Sequence, residues 1–411
     1  MRGRGAGRRA LLAVGILPLA LTVLAVPVGG QGRTLEIAVP EWALPDEVLR
    51  PEELLAETGI TARRVAEVGP CEAASRTDAP PPGILLLHEW SPARLRTGDL
   101  VLPLDDLLAA DPVLAADLPG LADWVLDGAT VAIPAREMPL MLEVDRAHLA
   151  AEGFAEPPAT WADLLDQART LRASGTDPHP IAFAPIEWTW ALIAASLGDP
   201  LVDAAGRPTF AEPDAPGRVA MGILLTMLRE ELIAPAIGEG TETQHTWFWS
   251  GRGTFHQGWA GSLPAARHPS GGRGDAVTYL TLPDTGRTVS MPRGFAIPAD
   301  APDPDAARTF LAWILRPEVQ RDLFRTTGVI PARRSVTEAL VAEGRVADGA
   351  TLLAQLGNVG RMPWAVPGWP ALSERIAMGI ADAAEGGTSA DALIDAIAAD
   401  WDRVPPAACA P

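Results

Sequence analysis

Three times along the chain a glutamate is followed directly by a tryptophan: Glu41-Trp42, Glu89-Trp90 and Glu187-Trp188. A carboxylate accepts hydrogen bonds from hydroxyl groups, and an indole is a flat apolar platform. Side by side they suit a ligand such as a pyranose, which carries hydroxyls on its rim and C–H groups on its faces. The chain holds 13 Trp against one Tyr and eight Phe. That bias runs in the direction such a site needs, although a GC-rich coding sequence accounts for part of it. Paired carboxylates also serve glycoside hydrolysis, which demands a defined separation across one bond. Other chemistries find no support. His88, His148, His179, His245, His256 and His268 form no HExxH or similar ligand spacing, no GxSxG elbow is present, and no Gly-rich phosphate loop follows a strand. All 33 basic residues are arginine, so Schiff-base lysine chemistry and the P-loop lysine are excluded. No catalytic residue, metal site or cofactor is assigned, and His88 is placed to donate to a ligand hydroxyl.

Each Glu-Trp pair falls where a strand pattern stops. RTLEIAVP, Arg33 to Pro40, alternates as a strand and ends at Glu41-Trp42; Thr61 to Val68 reads as the second strand. GILLLHEW is continuously apolar up to His88-Glu89-Trp90, and PIAFAPIEW, residues 180–188, reads as a strand ending in Glu187-Trp188. Unbroken apolar runs mark strands buried on both faces, as in a parallel sheet with helices on each side, where ligands bind beyond the carboxyl ends. Trp42, Trp90, Trp188 and Trp259 lie at strand or loop ends and are expected at a cleft. Trp124, Trp161, Trp313 and Trp401 sit in helical patterns and are expected in the core, while Trp247 and Trp249 are open to either. A length of 411 residues with 48% apolar composition is enough for two α/β lobes.

Arg2, Arg4, Arg8 and Arg9 precede a charge-free run from Ala10 to Val28 that exits through small residues at Gly29-Gly30. This reads as a signal peptide over residues 1–30; a retained anchor is the alternative, against which stand Pro18, Pro27 and the small-residue exit. No lipobox cysteine follows, and a periplasmic location is expected. Removing residues 1–30 leaves 29 basic against 52 acidic residues, a balance of −23 that argues against nucleic acid and anionic lipid as partners. Two cysteines, Cys71 and Cys409, stand in a compartment where disulfides survive. Pairing and non-pairing are both open, and the spacing supports neither a redox nor a thiolate metal site.

The order of segments resembles the extracellular solute-binding proteins of the carbohydrate ABC importer type, the maltose-binding-protein-like family 1. Residues 128–175, GATVAIPAREMPLMLEVDRAHLAAEGFAEPPATWADLLDQARTLRASG, share its layout of strand, strand, short helix, Pro break and capped helix, with Thr160 as N-cap three residues before Asp163. Met141, Leu142 and Asp145 replace the family's tyrosines and asparagine. LRTGDLVLPLDDLLAAD from Leu95, GDPLVDAAGRPTFAEPDA from Gly198, GRGTFHQGWAGS from Gly251 and the return segment through GVIPARRSV follow in family order, so the match spans about residues 33–335.

The resemblance implies an α/β fold of two doubly wound lobes joined by a hinge, periplasmic binding protein-like, type II. Lobe 1 would be 33–136 plus 290–328, and lobe 2 would be 137–289 plus 329–385. Residues 386–411 would form a C-terminal helix and tail, the helix against lobe 1. It further implies a monomeric, non-enzymatic receptor that takes a sugar or polyol to ABC permease subunits. Arg293-Gly294 falls where the family has a glycine pair approaching the ligand; Gly294 remains of it, and Arg293, with Arg136 at the crossing, opens the option of an anionic ligand. Trp364 and Trp369 occupy a loop in which the family often places an aromatic contact. Two further readings remain: a scaffold that has lost transport and serves as sensor or partner subunit, and an exported glycoside hydrolase.

Overall fold

The computed structural model describes residues 32–77, 79–95, 100–203, 205–238, 240, 242–261, 273, 276–360 and 362–405. The expected signal peptide and Cys409 lie outside them. The strands among the described residues are β1 (Arg33–Ala38), β2 (Ile60–Arg64), β3 (Ile84–Leu87), β4 (Val125–Leu126), β5 (Ala129–Thr130), β6 (Ile133–Arg136), β7 (Leu140–Asp145), β8 (Ile181–Ala182), β9 (Phe255–Trp259), β10 (Val277–Leu280), β11 (Thr288–Val289), β12 (Arg293–Ala296) and β13 (Val359–Gly360).

One sheet runs β2-β1-β3-β12-β6, with β1 parallel to both neighbours and β12 antiparallel between β3 and β6. Alternate side chains serve two cores. Leu35, Ile37, Ile84, Leu86 and Phe295 pack on one face with Phe310 and Trp313 of the helix Pro304–Ile314, while Ala38, Leu85, Leu87 and Ala296 pack on the other with Trp124. The second sheet runs β10-β7-β9-β8. Leu140, Leu142, Val144 and Phe255 face the core that contains Trp161 and Trp190; Met141, Val277 and Tyr279 face a smaller core under Leu352 and Leu356. Both sheets are therefore covered on both sides, the doubly wound α/β architecture that the unbroken apolar runs imply. Small pairs, β4 with β5 and β11 with β13, complete the pattern.

The chain passes between the sheets beside a short antiparallel ladder. Glu137 bridges Ile330 and Pro139 bridges Ser290, and the Met291 N–H donates to the Met138 carbonyl at 3.1 Å. Local signals in this region are realised as read. Asp145 caps the helix Arg146–Ala151, and Thr160 with Asp163 forms a capping box at the start of Trp161–Ser174.

Two local expectations are corrected. The segment 180–188 is not a strand up to Trp188. Pairing with β9 ends at Ala182, Ile186 is extended, and Glu187 begins the helix Glu187–Ser196. The final helix, Ala390–Trp401, packs on the second sheet's core and not on the first lobe. Trp401 meets Phe210 and Trp369 edge-on at 5.5 and 6.2 Å and donates Nε1–H to the Gly206 carbonyl at 3.0 Å. No helix among the described residues is long and apolar enough to cross a membrane.

Candidate functional site

The carboxyl ends of β1, β3 and β6 and the amino end of β12 fall at one edge of the first sheet. That edge gathers Trp42, His88, Glu89, Trp90, Arg136 and Arg293. β12 pairs Arg293 with Arg136 of β6 and Gly294 with Leu87 of β3, which fixes the two arginines next to the 88–90 turn. Glu89 is fully buried and ion-paired with Arg293, whose side chain is 12% exposed. Burial pushes the Glu89 carboxyl up and the Arg293 guanidinium down, each opposed by the other's charge; a guanidinium keeps its proton at neutral pH, and that adjacent charge favours the carboxylate form of Glu89. His88 stacks on Trp90 with ring centroids 4.6 Å apart, and its Nε2 lies 2.7 Å from Glu67 Oε1. Burial lowers the His88 pKa, against the raising hydrogen bond of Glu67. The Arg136 guanidinium lies over the Trp42 ring at 4.8 Å, and that of Arg293 lies 5.8 Å from the Trp90 ring.

Several polar atoms here are enclosed without a partner: Glu89 Oε1, His88 Nδ1, Arg136 Nε and Arg293 Nε. Buried polar groups are normally satisfied, so this grouping marks a place shaped for something besides the chain itself. Trp42 and Trp90 are the exposed tryptophans among the described residues, at 48% and 37%. An indole left in water beside unsatisfied polar atoms is a stacking platform in waiting. Glu41 is exposed in the turn after β1 and stands apart from this ion-paired group.

The second sheet contributes a second group. β8 and β9 are parallel, so Glu187-Trp188, opening the helix after β8, and Trp259, closing β9, lie beyond the same end of that sheet. Glu187 is buried and accepts from Ser373 Oγ; burial raises its pKa and Ser373 opposes the rise. Trp259 tilts against His245 at 4.4 Å. His245 Nδ1 is 2.9 Å from His256 Nε2, and His256 Nδ1 is 2.6 Å from Glu143 Oε2. Burial, then the charge of His256, lowers the His245 pKa to about 3, so that ring is neutral. The chain of Glu143, His256 and His245 is not evident from the spacing of the histidines. Its signal was a glutamate inside the apolar strand LMLEVD, which β9 places directly opposite His256.

Beside the first group, the helix Ser91–Leu95 touches the turn Pro363–Ala365. A small cavity of about 100 Å³ lies there, lined by Pro92, Asp123, Leu126, Pro292 and Trp364 among others. Two expected contacts are corrected. Trp369 is 1% exposed, wedged edge-on between Trp364 and Trp401, and presents no face to a ligand. Gly294 is bare because Trp124 is there: a Cβ would meet its ring at 2.7 Å, so the close approach is to the core and not to a ligand. Trp364 is nearly buried but lines the small cavity.

A larger cavity, about 890 Å³, lies elsewhere, between Ala191, Leu201, Arg287, the loop 362–368 and Trp401, and contains none of the expected contacts. Two of its three acids are committed: Asp199 accepts from Leu201 N, Gly217 N and Thr209 Oγ1, and Asp203 pairs with Arg207. Size alone does not outweigh the convergence of unsatisfied polar atoms and exposed indoles at the sheet edge.

A family model described as bacterial extracellular solute-binding protein matches residues 64–399. The chain belongs to this family. No curated protein matches the sequence. Among solved structures, maltose-bound MalE3 of T. maritima is 17% identical, with a TM-score of 0.75 over 90% of this chain and 100% of that one. A solute-binding protein of Agrobacterium radiobacter K84 in complex with ribitol is 16% identical, with a TM-score of 0.75 over 91% and 99%. A Thermotoga lettingae solute-binding protein bound with α-D-tagatose is 16% identical, with a TM-score of 0.74 over 90% and 99%. At these identities the likeness establishes the fold, two α/β lobes of the maltose-binding-protein kind. Proteins of the family are extracellular and bind solutes; they are not enzymes.

Proposed function

We propose that the protein is a periplasmic, monomeric receptor that captures a sugar or polyol between its lobes and delivers it to ABC permease subunits. The observation that carries this reading is the sheet edge where exposed Trp42 and Trp90 flank the Glu89–Arg293 pair and its unsatisfied atoms. Trp188, Trp259 and Glu187 would close on the ligand from the other lobe. Contacts from both sides give the closed form its preferential affinity, and a ligand shifts an equilibrium only by such a difference. Tryptophan fluorescence titrated with sugars and polyols tests the reading. A saturable change that is reduced in Trp90→Ala is expected. Silence toward the whole panel, with turnover of a glycoside detected instead, overturns it.

A further inference from the structure

Arg136 is the one basic side chain of the sheet-edge group without a carboxylate partner of its own. It takes part in no hydrogen bond or ion pair among the described residues, and its Nε is enclosed. Its contact is the Trp42 ring, a cation–π interaction of about 1 kcal/mol that leaves the N–H donors unspent. Arg293, beside it in the β6–β12 register, is already neutralised by Glu89. Glu67, half-exposed, is turned to His88 Nε2. The buried group of Arg136, Arg293 and Glu89 thus carries one surplus positive charge. A partly buried cation without an anion is unfavourable, and its free fork matches the geometry of a carboxylate.

We propose that the ligand is a sugar acid whose carboxylate sits on Arg136, with a hydroxyl donating to the free Oε1 of Glu89. This rests on the receptor function proposed above and narrows its ligand class. A single surplus charge calls for a monoanion, so a carboxylate is favoured over the doubly charged phosphate of a sugar phosphate. A neutral sugar would leave the Arg136 charge unanswered.

The test is calorimetric titration of the mature protein with glucuronate, galacturonate and gluconate, their neutral counterparts glucose, galactose and sorbitol, and glucose 6-phosphate. At least one acid is expected to bind at least about tenfold more tightly than its neutral counterpart, the increment of a charge-assisted hydrogen bond. Added salt should weaken that preference, and Arg136→Gln should erase it. Thermal melting supplies a readout that a merely structural arginine would move the other way. The ligand-free Arg136→Gln protein should melt no lower than the parent, because an unanswered charge has been removed. A neutral sugar that binds as tightly as its acid, with Arg136→Gln indifferent, overturns the sugar-acid assignment and leaves the receptor function standing. Tighter binding of glucose 6-phosphate than of every carboxylate also overturns it. Failure of every compound to bind removes the receptor function, and this assignment with it.

Discussion

At Gly294 the missing side chain is accounted for by Trp124, whose ring atoms lie where a Cβ would be, with Ala132 on the other side at 3.0 Å. Trp124 is fully buried, so it cannot swing into solvent to make room. Gly294→Ala should therefore destabilise by about 1–3 kcal/mol, the usual range for overpacking. The denaturation midpoint should fall at an unchanged slope, and an unmoved midpoint would show that the strand yields freely. The same scale shows why the Glu-Trp repeats misled in part. Identical dipeptides acquire three environments: Glu41 in water, Glu89 in a buried ion pair, and Glu187 at the first turn of a helix. Nothing within the dipeptide separates these. The partner Arg293 lies more than two hundred residues away from Glu89, joined to it only by the β3–β12 pairing.

Among the elements, the crossing at Glu137 carries the clearest pH dependence. Glu137 is 7% exposed and accepts from the Gly120 N–H at 3.1 Å. Burial pushes its carboxyl up to about 7; Asp123 adds to the rise, and Gly120 and Arg334 oppose it. Because the folded value lies above the unfolded one near 4.5, the native state keeps a proton that the unfolded chain has released. That contribution is fully present below pH 4.5 and is lost as pH rises through 7, to a total of about 3 kcal/mol. Glu137→Gln holds the neutral form at every pH. It should match the parent near pH 5 and melt higher near pH 8, and equal pH slopes for the two proteins would refute the assignment. Elements of this kind were legible where their signals are local. The Thr160 capping box, the helix Ala390–Trp401 and the two-faced strands follow from spacing alone. What spacing leaves open is docking. The closing helix settles by Trp401 finding Phe210 and Trp369, and the segment 180–188 turns helical once β9 stops pairing with it. Arg136 and Arg293 were legible as candidates. Their unequal pairing required the register of β12 against β6 and β3.

For the whole molecule, the disulfide at Cys71 is the feature that acts over the greatest length of chain. Cys71 lies on the helix Pro70–Ser75, which touches the helix Ser91–Leu95 and through it the turn Pro363–Ala365. Gly368, just beyond that turn, lies against Val404, where the chain leaves the closing helix of the other lobe. The sequence offers one other cysteine, Cys409, five residues past Val404. A bond between them would tie the first lobe to the tail of the second. In the chain-entropy model a closed loop of this length stabilises by about 6 kcal/mol. Reduction, or Cys409→Ser, should then lower the melting temperature to the same degree, and reduction should have no further effect on the Cys409→Ser protein. The strap also bears on ligand capture. If it limits how far the lobes part, the reduced protein should show a larger radius of gyration by small-angle scattering without ligand. With saturating ligand the two forms should converge, because closure brings the lobes together whether or not the strap is intact. Equal dimensions in the ligand-free state would leave the bond a stabilising role and remove the mechanical one.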